Sequence, residues 1–116
     1  MNHAMQLESL LADKTATAEQ PAAVFAFLCL GVIESLANGL MTATDGVRLF
    51  FDADNCLYVR KEMRDKLADK IMSHGVQLPD LFTVLPAEEA QREFQHELST
   101  MRALCLKLLD EHKRVA

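Results

Sequence analysis

In this 116-residue chain the residues best suited to chemistry are Glu93 and His96, in the run Glu93-Phe94-Gln95-His96. On a helix, a carboxylate and an imidazole three positions apart share a face, and Glu-x-x-His is the ligand pair of di-iron carboxylate bundles. Such a centre takes two of these motifs and two further Glu; the chain carries one motif. A symmetric dimer would supply the second, with Glu89 or Glu34 adding carboxylates. A solvated helix face of Glu89, Arg92, Glu93 and His96 explains the same residues without a metal, and the ligand count favours it. Glu93 and His96 therefore stand as alternative metal ligands, and no metal or cofactor is required.

Other constellations are weaker. Asp52-x-Asp54 resembles the start of a calcium loop, but that loop needs Gly at its sixth place and Glu at its twelfth, where this chain has Leu57 and Met63. Helix capping is the better use for these acids. Cys56 falls near an expected helix start, where the helix dipole favours a thiolate, yet Asp52 and Asp54 oppose it. Arg60, Lys61, Arg64, Lys66 and Lys70 would face DNA if the third and fourth helices formed a helix-turn-helix. Glu62, Asp65 and Asp69 are interleaved with them, which suits a charge-paired solvated face. Glu34 follows a long apolar run, and its stripe with Gly31, Ser35 and Asn38 points to partial exposure or a polar contact with a neighbouring helix. There is no nucleophile elbow, phosphate loop or dinucleotide fingerprint.

These residues must be positioned by helices, because hydrophobic period is helical throughout and no period-two strand pattern occurs. An amphipathic helix is expected at about 3–13, then a Thr- and Ala-rich linker at 14–20. Pro21 suits a first helical turn. The central apolar helix, about 21–38, places Phe25, Cys29, Val32 and Leu36 on one face and Ala26, Leu30 and Ile33 on the next, with Gly39 as a left-handed stop. Thr42 and Asp45 form a capping box for a short helix over 43–51. A fourth helix over 56–74 should pair Lys61 with Asp65 and Glu62 with Lys66, and end at a left-handed Gly75. A further turn or two is expected from Leu78 to Val84. The long C-terminal helix, about 86–113, carries a heptad-like seam of Phe94, Leu98, Met101, Cys105 and Leu108, flanked by Leu104, Leu106 and Leu109. The expected architecture is all-α: one domain over 1–116, a compact bundle of five to six helices.

Composition bounds the function. Half the residues are apolar and a quarter charged, which is globular rather than disordered. A net charge of −5 disfavours a nucleic-acid partner, since phosphate binding runs on Lys and Arg. Residues 22–33 lack a polar side chain, too short a run for a membrane span of about twenty. The preceding acids Glu8, Asp13 and Glu19 do not suit a secretory leader. Cys29, Cys56 and Cys105 are odd in number and form no C-x-x-C pair, so reduced thiols in a cytoplasmic protein are expected.

Leu30-Gly31-x-Ile33-Glu34-x-Leu36-x-Asn38-Gly39, then Met41-Thr42 and Leu49-Phe50-Phe51, are followed by Ile71-Met72-x-His74-Gly75, Leu78-x-Asp80-Leu81 and Leu85-Pro86. This pattern resembles a family of short bacterial proteins known only as a domain of unknown function. The resemblance spans residues 25–86 and rests on helix-end and turn residues. It implies a bacterial helical domain, supplies no activity and transfers no functional residue. Where the family has an acidic pair before the short helix, this chain has Gln77 and Pro79 beside Asp80.

The leading expectation is a non-enzymatic helical interaction or regulatory module, forming a homodimer through the C-terminal helix and able to hold a further protein partner. A ligand- or metal-binding bundle using Glu93 and His96, and a DNA-binding regulator, are the alternatives.

Overall fold

In the computed structural model, which describes residues 4–11 and 21–112, Pro21 opens an apolar helix, α2 (Pro21–Ala37). Its missing N–H falls where a helix has no acceptor to offer. Gly39 ends it at φ +73°, as expected, because a side chain is disfavoured in the left-handed region. Phe25, Ala26, Cys29, Val32, Ile33 and Leu36 are buried. Before α2 lies α1 (Leu7–Leu11), which begins at Leu7 rather than at the expected position 3, with Leu7 alone buried. The expected linker at 14–20 lies outside the described residues.

α3 (Ala43–Leu49) begins in the capping box read from sequence: Asp45 N–H donates to Thr42 Oγ1, and Thr42 N–H donates to Asp45 Oδ2. Phe50 and Phe51 follow into the core, their rings edge-to-face at 5.2 Å. Asp52 caps α4 (Ala53–Tyr58). Within α4 Asn55 is buried and fully bonded. Its Oδ1 accepts from Leu7 N–H at 3.0 Å, and its Nδ2 donates to Met5 O at 2.7 Å and Phe50 O at 3.0 Å. One amide thus pins the segment bearing α1 to the corner between α3 and α4.

The expected fourth helix at 56–74 is not one helix. α4 runs on into a π-helical turn (Val59–Met63) and the chain breaks at Arg64, held left-handed at φ +53°. Asp65 then caps α5 (Lys66–Val84) by accepting from Leu67 N–H and Ala68 N–H. Asp65 Oδ1 is taken by the backbone and Oδ2 faces His112 Nε2 at 3.5 Å, so the carboxylate expected to pair with Lys61 is engaged elsewhere, while Arg60 reaches Asp69 at 3.6 Å.

Gly75 is the clearest correction. It lies inside α5, buried, and a Cβ placed there would collide with the ring of Phe51. Glycine is required by close approach of an aromatic ring, not by a turn. Pro79, one turn on, also lies inside α5 and leaves the Gly75 carbonyl without its usual partner. The segment from Leu78 to Val84 is therefore the end of α5, not a separate turn.

α6 (Ala87–His112) follows at Pro86 and spans about 39 Å at 1.5 Å per residue, close to the molecule's longest extent of 45 Å. Phe94, Leu98, Met101, Cys105 and Leu108 all face inward against α2 and α5. Among the described residues the architecture is an all-α bundle of six helices, with α2, α5 and α6 as its long members. No described helix is long and apolar enough to cross a membrane.

Candidate functional site

α6 carries Glu93 and His96 on its exposed side, to either side of the inward position Phe94. The structure does not bring them to a common partner. Glu93 lines a cleft of about 380 Å³ between α5 and α6, and His96 is not among its lining residues. Among the described residues no three His, Cys, Asp or Glu side chains form a group that could hold a metal.

That cleft holds a different pair. His74 Nδ1 lies 2.6 Å from Glu97 Oε1, both side chains about two-thirds buried. A carboxylate at this distance fixes the ring's orientation; with the proton on Nδ1 it leaves Nε2 as an acceptor. Asp80 and Glu93 stand at the rim and Leu78, Leu81 and Leu85 supply the apolar wall. No Ser, Thr or Cys lines this cleft, so the arrangement can bind and orient but holds no nucleophile for the imidazole to activate. The sequence contains a signal for the pair. Two antiparallel helices joined at Leu85-Pro86 bring together residues equally far from the turn, and 74 and 97 are symmetric about 85.5.

Cys29 and Cys105, unrelated in sequence, meet where α2 crosses α6. The neighbouring Cys105 thiol and burial push Cys29 well above an ordinary thiol, while Cys29 lowers Cys105 against the effect of that residue's own burial. Cys56 is half-buried, its Sγ 3.8 Å from Phe51 O, and burial with the nearby Asp52 charge pushes its thiol up, opposite to what a nucleophile needs. Asp52 itself is raised by burial, against the lowering effect of the Asn55 N–H it accepts. The basic residues proposed for a recognition helix are split across the break at Arg64. Arg60 and Lys61 sit on the π-helical turn, Lys66 and Lys70 on α5, so they do not share one helix face.

The remaining feature is the α2/α6 seam. Cys29 meets Cys105, Arg102 Nη2 donates to Glu34 Oε1 at 2.9 Å, and Gln95 Nε2 donates to Ala37 O at 3.4 Å, so the helices run antiparallel. The expected polar stripe is real: Ser35 Oγ donates to Gly31 O, Asn38 Nδ2 donates to Glu34 O, and Glu34 finds its contact on the neighbouring helix. Phe27 and Leu30 lie two turns and one turn before Glu34. Leu106 and Leu109 lie one and two turns beyond Arg102. At 3.6 residues per turn all four continue along the side of the seam that the ion pair marks. Phe27 is 64% exposed and Leu106 54% exposed, with Val24 36% exposed a turn further on. The heptad-like seam of α6 is consumed inside the bundle; its flanking Leu106 is not. Sequence reading missed Phe27 because it lies in an apolar run taken as wholly buried. The chain matches no protein-family model, no curated protein and no solved structure.

Proposed function

We propose that this chain is a helical protein-interaction module that pairs with a second copy of itself through the α2/α6 face. The observation that carries this is the joint exposure of Phe27 and Leu106 on one side of the seam. A Phe and a Leu left in water on adjacent long helices each forgo roughly 2–3 kcal/mol of burial. Phe27, Leu106 and Val24 together leave about 280 Å² of apolar surface per copy uncovered, close to the roughly 300–600 Å² of the largest patch on a typical monomer, which is often functional. Two copies covering that surface, at the roughly 65% apolar share of homodimer interfaces, bury close to 900 Å². Half-buried Leu30 and Leu109 at its edge bring the total to about 1,000 Å², the lower end for a specific interface. The Glu34–Arg102 pair then forms a polar rim at one end of an apolar centre.

An interface of this size belongs with weak, reversible pairs rather than with obligate dimers, which bury roughly 2,000 Å² or more. Light scattering across the micromolar range should show the mass rising from one chain to two. Phe27→Ser and Leu106→Ser should each weaken pairing by at least about tenfold, because a two-fold interface loses the anchor twice. Far-UV circular dichroism should be unchanged, as neither side chain belongs to the core. A single-chain mass that persists to high micromolar concentration would refute the proposal.

A further inference from the structure

At the other end of the seam, the C-terminal end of α2, the start of α3, the last turns of α5 and the first half of α6 enclose a cleft of about 650 Å³. Its volume lies in the range of small-molecule sites, roughly 300–1,000 Å³. None of its thirteen lining residues is ionisable, in a chain where one residue in four is charged. By contrast His74, Asp80, Glu93 and Glu97 line the α5/α6 cleft described above. The charge-free cleft has a wall of Phe82 and Phe94, edge-to-face with centroids 5.2 Å apart, completed by Met41 and Pro79.

Its polar groups are neutral, and they divide into those already committed and those free to serve a ligand. Asn38 donates to Glu34 and Thr42 belongs to the capping box. Gln95 makes one long bond, 3.4 Å, to Ala37 O, weak enough to exchange for a better partner. The Gln91 side chain has no hydrogen-bond partner among the described residues. Gln91 and Gln95 are one turn apart on α6, so two primary amides stand side by side above the aromatic wall. Each offers both donors and an acceptor.

From this geometry we infer that the cleft binds an uncharged, ring-bearing small molecule whose carbonyl, hydroxyl or amide groups pair with Gln91 and Gln95. An ionised ligand would find no opposite charge among the lining residues, whereas a neutral one gives up only hydrogen bonds that the two amides restore. The site is independent of self-pairing, since it lies about 15 Å along α2 from Phe27.

The test uses the full chain with N-phenyl-1-naphthylamine, an uncharged three-ring fluorophore with an N–H donor, and its anionic relative 8-anilinonaphthalene-1-sulfonate. The uncharged probe should bind saturably, one per chain, and shift the Gln91 and Gln95 side-chain amide signals in a proton–nitrogen correlation spectrum. Gln91→Glu with Gln95→Glu, both at exposed helix positions where folding is preserved, should weaken it by at least about tenfold. Phe27→Ser should leave binding unchanged, which separates this site from the pairing face. Non-saturable uptake, saturable uptake without movement of those amide signals, or loss of binding in Phe27→Ser would each overturn the assignment. Equal or tighter binding of the anionic probe would overturn the uncharged class.

Discussion

Asn55 is the side chain whose loss should be felt furthest from its own position. Its amide satisfies three backbone groups 5 to 50 residues away: Leu7 N–H, Met5 O and Phe50 O. Asn55→Ala removes all three partners at once from a site that is 3% exposed. A buried polar group left without a partner costs about 1–3 kcal/mol, and water entering the space vacated by the amide recovers part of that, which places the loss near 3 kcal/mol. Asn55→Asp retains the acceptor for Leu7 but sets a second carboxylate oxygen against two carbonyls. Its cost at neutral pH should equal or exceed that of alanine. The sign with pH follows. Crowded by carbonyls, the new carboxyl titrates above its unfolded value of about 3.9, so the penalty is absent at lower pH and grows as pH rises through the folded value. Urea unfolding followed by circular dichroism gives the difference, and hydrogen exchange at the Leu7 amide gives its location. If Asn55→Ala costs under about 1 kcal/mol, or leaves Leu7 protected, the amide is not what holds α1 in place.

Gly75→Ala should destabilise the chain by about 1–3 kcal/mol despite alanine's better helix propensity, because its Cβ meets the Phe51 ring. Thermal unfolding of Gly75→Ala, Phe51→Leu and the double variant should show the second change recovering part of the first. The Thr42 backbone N–H and hydroxyl hold the Asp45 carboxyl below the usual carboxylate range, so the ion is favoured by folding. That contribution is complete above the unfolded pKa and is lost as pH falls through the lower folded value. An acid titration should accordingly unprotect the Thr42 amide, which donates to this carboxylate, at lower pH than free aspartate titrates, and Asp45→Asn should abolish that step.

Elements with a local signal were legible in the sequence. Pro21, Gly39 and the Thr42–Asp45 box mark helix ends through interactions spanning at most four residues, and each stands where its chemistry placed it. Where tertiary contact decides, local signals failed. Gly75 carries the composition of a helix stop but is retained for the ring of Phe51, 24 positions earlier. Arg64 has no turn residue's signature and yet takes the left-handed conformation, because Asp65 begins a new helix immediately after it. Asn55 has the residue type of a helix cap and follows an acidic run, with nothing local to mark a longer reach. Its true partners are at positions 5, 7 and 50, and only the folded chain brings them within reach.

The candidate sites show the same division, and they show why an apolar run is ambiguous in kind as well as in place. The period of α2 identifies Phe25, Cys29, Val32 and Leu36 as one inward face, and all four are buried. The uninterrupted apolar character of residues 22–33 carries no further phase, so it cannot distinguish a helix enclosed by its own chain from one that saves a stripe for another. α1, α3, α5 and α6 all pack on α2, and together they leave Val24 and Phe27 in the open. Folding gains nothing from Phe27 at a position 64% exposed, where a charged residue would serve solubility better. Its partner across the seam, Leu106, falls outside the inward phase of α6 and gains equally little from the fold. Two large apolar residues, each out of phase with its own core and in phase with the other, are what a surface built to be covered requires. Substituting both with Ser therefore tests function and spares stability, the reverse of what the same change would do at Phe25 or Cys105.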